Sequence, residues 1–460
     1  METMRQKSYT VALLLSIALV FLVFGVSAAE REVDLSRPLS LEEVIQIALS
    51  RNAGFAAARR GVEVASGGVS VAQSQRLPKF TVEGFYNRSV WPRPLIMGTK
   101  PGDFSDTRLG DNFFGYGVTG SVPLFTGGRI SSQIALNEAM FEMARDGAQK
   151  TRDDLIFNLA GAYYSLLRLQ KVVEATQKSV EHLEESRRIV ERKVEVGKAA
   201  KVDLFKINAR LANVRQNLIK AQNALEVTHS ALKTRMGLDI SQRVEVSGPL
   251  EYRPNPYDLR ASIGEALERN PAYRMAGQKV EVQRRQLRIA RSQWLPNISA
   301  VGRYDGLSGF DTVGPSGKRD SETLNNWSGG VVVSFPLFND VVRSQVGQAS
   351  AGLQQAQQEL DGIKLETILA VQTAYLNRAE AENRIKAAEA ALQEAKESLR
   401  IEQLKLEEGK GIVNDLLDAQ AEELQAEVNY YEALADYNTS HVALRWAIGG
   451  VDLHQVVPAK

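Results

Sequence analysis

The sequence predicts a mainly α-helical protein with a transmembrane β-barrel part, built from a duplicated helix–strand–strand–long-helix unit. Three observations predict it. Ala, Leu, Gln, Glu, Lys and Arg dominate while aromatic residues make up 7%, a composition that favours long helices. A set of short markers recurs in the same order in the two halves. Two segments in each half alternate apolar and polar residues, as strands with one oily and one wet face do.

The N-terminus comes first. Arg5 and Lys7 precede an apolar run from Val11 to Val26, and Ser27-Ala28-Ala29-Glu30 follows. A charged start, an apolar core and small residues make a secretory signal, cut after Ala28 or Ala29. A retained membrane anchor is the other reading of the same run. No later segment is apolar enough for a transmembrane helix, so any span in the processed chain must use strands.

The repeat sets the rest. ALSRNAGF (Ala48–Phe55) answers ALERNPAY (Ala266–Tyr273), and AQSQRLPKF (Ala72–Phe80) answers ARSQWLPNI (Ala290–Ile298). SVPLF (Ser121–Phe125) answers SFPLF (Ser334–Phe338), and VGKAAKVDL (Val196–Leu204) answers EGKGIVNDL (Glu408–Leu416). In each half a helix of about 37 residues runs to Leu77-Pro78 or Leu295-Pro296, where proline stops it. A strand, a polar loop (91–112 and 305–326) and a second strand ending at PLF follow. A very long helix comes next, about 66 residues and roughly 100 Å in the first half. It breaks once, at Gly197-Lys198 and at Gly409-Lys410. The helices before the strands and after the break are each about half as long, so two stacked end to end match one full column. Leu155, Leu159, Ala162, Leu166, Leu169, Val173, Thr176, Val180 and Leu183 form a heptad seam, repeated by Ile385, Ala388, Leu392, Ala395 and Leu399.

In YGVTGSV, Tyr116, Val118 and Val122 alternate with Gly117, Thr119 and Ser121; WSGGVVVSF repeats the pattern from Trp327 to Phe335. A soluble sheet over a core fits this alternation too. Four strands of about 9–11 residues match a tilted barrel span, but four are too few to close a barrel, so copies of the chain must share one. Phe85 breaks the pattern of FTVEGFYNR by falling on the polar face. Trp91, Tyr304 and Trp327 fit an interfacial girdle and ordinary strand ends equally.

Bulk chemistry narrows the function. A net charge of +1 gives no argument for nucleic acid. The chain has no cysteine, which excludes disulfides, thiolate metal sites and a lipid-anchored cysteine start. His182, His229, His441 and His454 lack ligand spacing. GPSGKRD (Gly314–Asp320) has the wrong spacing for a phosphate loop. We expect no enzyme, cofactor or metal.

The signal, the duplicated unit, the LP and PLF markers and the paired Gly…Asp-Leu tips together resemble the TolC family of outer membrane efflux proteins, from about Leu39 to Gly450. The resemblance implies a homotrimer with a twelve-stranded outer-membrane barrel and an α-helical periplasmic tunnel. It implies a passive channel-tunnel for efflux or type I secretion, embedded in outer-membrane lipid. The partners would be a periplasmic adaptor (membrane fusion) protein and an inner-membrane pump of RND or ABC type. The expected division is signal peptide 1–28, first repeat 39–238, equatorial linker 239–258, second repeat 259–450 and tail 451–460.

The tips carry the candidate sites. Gly197, Lys198, Asp203, Gly409, Lys410 and Gly411 mark the turns and the implied adaptor-docking surface. Asp203 fits a carboxylate near a helix start, where the dipole favours it. Asp415 and Asp418, three residues apart, share one helix face. The resemblance makes them a constriction, two stacked carboxylate rings in a trimer; helix capping or a solvated face is the simpler alternative. Some family members hold this tip shut with a tyrosine and an arginine. Leu406 and Gly411 stand at those positions here, and Lys201, Arg210 and Lys410 are the substitutes the sequence offers. A competing reading of the chain is an inner-membrane-anchored periplasmic coiled-coil adaptor or scaffold, which predicts one helical hairpin flanked by compact β domains.

Overall fold

A computed structural model describes residues 37–88, 107–197, 199–313 and 319–451. In chain order the elements are α1 (Leu41–Arg51), α2 (Ala53–Ser74), β1 (Lys79–Arg88), β2 (Thr107–Phe125), α3 (Arg129–Glu195) and α4 (Lys201–Met236). The second half repeats them as α5 (Leu259–Arg269), α6 (Pro271–Ser292), β3 (Asn297–Val313), β4 (Arg319–Ser334), α7 (Asp340–Glu407) and α8 (Val413–Ile448). The expected signal segment, Trp91 and His454 lie outside the described residues.

The single opening helix expected in each half is two helices. Asn52 and Asn270 take extended backbone angles, and each side chain accepts from amides of the helix that follows. An asparagine cap starts a new helix, and Pro271 occupies its first position, where its missing N–H costs nothing. Each asparagine also reaches a distant helix end: Asn52 Nδ2 donates to the Arg235 carbonyl at 2.9 Å, and Asn270 Nδ2 donates to the Ala447 carbonyl at 2.9 Å. The end of α4 therefore abuts the start of α2, and the end of α8 abuts α6. The approach is close enough that a Cβ on Gly237 would stand 2.6 Å from the Arg51 carbonyl oxygen.

These stacked pairs, each a helix of 22 and one of 36 residues, make two columns alongside α3 and α7, the helices of 67 and 68 residues. The columns lie side by side in one layer. The α2/α4 column packs on α3, α3 packs on the α6/α8 column, and that column packs on α7. The predicted α3 seam is real: all of its nine positions but Val173 are buried. In α7, Ile385, Leu392 and Leu399 are buried, while Ala388 and Ala395 line a groove shared with Ala426 and Ala433 of α8. Linker residues 239–258 cross the columns at mid-height. Leu39 bridges Val246, the Tyr163 hydroxyl donates to the Ser247 carbonyl at 2.9 Å, and the Tyr437 hydroxyl donates to the Arg253 carbonyl at 2.7 Å.

Both edges of the wall stay apolar. Leu365, Leu369 and Leu376 of α7 are exposed, and so are Val64 and Val71 of α2 and Ile219 and Val227 of α4. The layer buries one face of each edge column and leaves the other without a partner among the described residues.

The four strands form one antiparallel sheet in the order β1-β2-β3-β4. Its central pairing, β2 with β3, joins the two halves, and among the described residues β1 and β4 are unpaired edges. Cross-strand register sorts the two faces. Phe80, Val82, Tyr86, Tyr116, Val118, Ala300, Tyr304, Trp327 and Val331 share one face; Thr81, Glu83, Thr119, Arg303, Asp305, Asn326 and Ser328 share the other. Trp327 is 80% exposed. Phe85, the exception on the polar face, pairs directly with Gly115, and its ring fills the space a side chain there would need. A glycine opposite an aromatic is a recurrent cross-strand fit.

Three strands exceed the expected span. β2, β3 and β4 have 19, 17 and 16 residues, so 107–112, 305–313 and 319–326, expected as loop, are strand. Continued ladder pairing explains it: Thr107 to Leu109 pair with Thr312 to Phe310, and Val313 pairs with Arg319. Composition there is polar and Gly-rich, and hydrogen bonding between neighbours overrides weak local propensity.

Candidate functional site

The tips follow from helix ends. The first turn closes on α3: the Gly197 amide donates to the Val194 carbonyl at 3.1 Å and the Ala199 amide to the Lys193 carbonyl at 3.2 Å. Gly197 sits at φ +71° with no other atom near its missing Cβ, the αL conformation that ends many helices. Lys198 lies outside the described residues. α4 follows Ala200, whose side chain gives no cap, and Asp203 stands half-buried in its first turn, where the positive end of the helix dipole favours its charge.

The second turn is tighter. Gly409 has φ +75°, and both the Lys410 and Gly411 amides donate to the Lys405 carbonyl at 2.9 Å. Gly411 folds back onto α7, and a Cβ there would meet the Leu406 nitrogen at 2.9 Å. Lys410 pairs with Glu408 at 2.8 Å across its own turn. α8 starts at Ile412, again without a side-chain cap.

The first two turns of α8 have two faces. Val413, Leu416, Leu417 and Gln420 are buried; Asn414, Asp415 and Asp418 are exposed. The i, i+3 prediction therefore holds as geometry: both carboxylates stand on the solvent side of one helix. Asn414 Nδ2 donates to Asp418 Oδ2 at 3.1 Å. Among the described residues Asp415 has no hydrogen-bond or ionic partner.

The two hairpins meet at this level. Val180, Leu183, Val190, Ile207 and Leu211 of the first pack with Leu399, Leu406, Val413, Leu416 and Leu417 of the second. Three polar contacts cross the same seam. Lys193 Nζ donates to the Leu406 carbonyl at 2.8 Å, Lys206 Nζ to Asn414 Oδ1 at 3.4 Å, and Gln420 Nε2 to Ser186 Oγ at 3.1 Å. Lys201 and Arg210, offered by the sequence as tip partners, make no such link among the described residues. Lys193, Lys206, Ser186 and Gln420 were not singled out from sequence. Lys193 carries one readable signal, a cation in the last turn of its helix; the rest look like ordinary solvated or core positions.

Mid-height holds a second concentration of charge. Asp153 is buried, and burial pushes its carboxyl up even though Gln149, Arg152 and the Gly450 amide donate to it. The neighbouring Asp154 accepts from the Trp446 indole at 2.7 Å. The α3 segment 152–154 thereby ties down the end of α8. Arg378 is buried between the Tyr257 and Tyr437 rings, 5.0 and 5.4 Å away, and donates to the Asn255 carbonyl. Cation–π contact with both rings and hydrogen bonds to oxygen acceptors hold the charge there. Among the described residues no group of His, Asp and Glu is placed to hold a metal ion.

The profile of the outer membrane efflux protein family matches residues 44–238 and 262–450. The cobalt-zinc-cadmium resistance protein CzcC of Cupriavidus metallidurans is 24% identical over 410 residues, covering 86% of this chain and 87% of its own. Alkaline protease secretion protein AprF of Pseudomonas aeruginosa is 23% identical over 423 residues, 90% of this chain and 85% of its own. The crystal structure of the Campylobacter jejuni CmeC outer membrane channel superposes with a TM-score of 0.78 at 20% identity, covering 89% of this chain and 85% of that one.

Proposed function

The chain belongs to the outer membrane efflux protein family, and from that premise we propose that three copies join edge to edge into one passive exit duct. The protein lies in the cell outer membrane and extends into the periplasm; it is a channel protein, not an enzyme. The single observation that carries the assembly is the open-edged wall. A one-layer wall with apolar stripes on both edge columns, above a sheet with two unpaired edge strands, calls for a neighbour on each side. The two edges differ, so the contact is head to tail, and rotation closes it into a ring. Three copies give twelve strands, above the eight of the smallest membrane barrels. The apolar sheet face then meets outer-membrane lipid and the polar face lines the pore.

On this reading residues 1–28 are a signal peptide removed on export. The repeats are 39–238 and 259–450, with the equatorial linker 239–258 between them and the tail 451–460 after. Gly197, Lys198, Asp203, Gly409, Lys410 and Gly411 form the periplasmic end, where an adaptor docks, and exposed Asp415 and Asp418 ring the constriction. An inner-membrane pump supplies energy and chooses cargo. CzcC is named for metal resistance and AprF for protease secretion, at nearly equal identity to this chain. The competing scaffold reading needs one hairpin between compact β domains, and two hairpins below one shared sheet argue against it.

The test is the native mass of the particle extracted in mild detergent from purified outer membranes. Three chains are expected. A monomer or dimer, or recovery from the inner membrane alone, overturns the duct.

A further inference from the structure

We propose that Lys193 is the positioning residue that holds the two hairpins of one protomer together at the constriction, with the main-chain carbonyl of Leu406 as its acceptor. The proposal rests on the duct reading and assigns the control of its periplasmic end.

Four observations carry it. Lys193 is half-buried on the last turn of α3, and its ammonium bonds a carbonyl 213 residues away, on the other hairpin. That carbonyl lies at the C-terminal end of α7, where it also accepts the Gly409 amide at 3.2 Å and the helix dipole favours a cation on its second lone pair. The Leu406 side chain points the other way, into the shared apolar cluster, so side chain and main chain of one residue both grip the first hairpin. The repeat-related lysine behaves differently: Lys405 is exposed and pairs with Glu402 on its own helix.

The physical division of labour follows. Apolar contact between the hairpins is non-directional and tolerates sliding of one hairpin along the other. A hydrogen bond from a charged donor has one geometry, so it selects one register. One turn further on, Lys206, Asn414 and Asp418 form a chain of polar contacts from the first hairpin to a constriction carboxylate. Higher in the seam, buried Gln420 leaves its Oε1 without a donor. The seam is therefore least satisfied above the tip and best fixed at Lys193. Because the acceptor is backbone, no substitution at 406 removes it; the lysine alone can be deleted.

The experiment uses the full-length protein in planar lipid bilayers, with wild type, Lys193→Met, Lys193→Arg and Lys405→Met. Lys193→Met should raise the mean conductance by moving the shut-to-open ratio about tenfold, the worth of one charged-donor hydrogen bond. Lys193→Arg should stay near wild type, and Lys405→Met should change it less than about twofold. In the wild-type protein, an amine-acetylating reagent should modify Lys193 about tenfold more slowly than Lys405, a readout that requires no variant to fold. A wild-type pore indifferent to Lys193→Met, or equal acetylation of the two lysines, overturns the latch and leaves the duct standing. A wild-type protein that forms no pore overturns the duct, and the latch with it.

Discussion

The two hairpin tips share a rhythm in sequence and differ in construction. At the first, Ala199 follows the Gly-Lys pair, its amide bonds the Lys193 carbonyl, and no atom crowds the Cβ side of Gly197. At the second, Gly411 takes that place and the turn presses back onto Lys405 and Leu406. The first tip sends its cations outward to the other hairpin, through Lys193 and Lys206. The second keeps its cations at home, Lys405 on Glu402 and Lys410 on Glu408, and exposes carboxylates. Where the second has Asp418, the first has Lys206. Duplication thus supplied two copies of one turn, and a few side chains made one a donor and the other an acceptor.

The largest effect should come from the residue that joins the two. Leu406→Ala removes a side chain only 6% exposed in the shared cluster and should destabilise the seam by about 2–4 kcal/mol. Val194→Ala, the matching change at the half-buried first-tip position, should cost about 1 kcal/mol. Hydrogen exchange of the α4 and α8 amides measures both, and equal protection loss would mean the tips are equivalent.

Glycine replacement should separate the turns next. Gly411→Ala forces a Cβ against backbone and should cost about 1–3 kcal/mol. Gly197→Ala meets no atom and pays only left-handed strain, about 1 kcal/mol. Faster exchange at 408–412 in Gly411→Ala than at 196–200 in Gly197→Ala is the expected order.

Asp415→Ala with Asp418→Ala should lower cation over anion permeability by roughly tenfold, because carboxylate rings set the field at a narrow site. Asp203→Ala, the first-tip counterpart, should leave the reversal potential across a salt gradient unchanged. A shift of the same size from Asp203 would mean that both tips line the pore.

The smallest effect lies up the first stem, where Lys171 and Lys178 flank Glu174 and hold its carboxyl down to about 2. A depressed carboxylate stabilises the fold above its unfolded value of 4.5 and loses that contribution as pH falls toward about 2. The group is half-exposed, so Glu174→Gln should cost only a few tenths of a kcal/mol at neutral pH. Salt-dependent thermal unfolding at neutral pH and near pH 3 checks the sign.

Much of this was legible because it is local. Period-two alternation separated the faces of the sheet, heptad spacing marked the α3 seam, and Gly197 and Gly409 marked the turns by the backbone angle they permit. The i, i+3 spacing put Asp415 and Asp418 on one face. The breaks at Asn52 and Asn270 had a readable signal, an asparagine followed once by proline, that helical composition on both sides obscured. The outer extension of the β2–β3 ladder, Thr107 to Leu109 against Phe310 to Thr312, had none, since those residues gain strand structure only from each other.

The sequence by itself determined the duplicated plan, the column lengths and the oily and wet faces, because periodicity and backbone restriction act within a few residues. Only the tertiary structure decided which ends meet. Asn52 finds the end of α4, Arg378 finds two tyrosine rings, and Lys193 finds the carbonyl of Leu406. Those partners lie far apart in the chain, and a hydrogen bond is set by position and direction in space, which no spacing in sequence encodes.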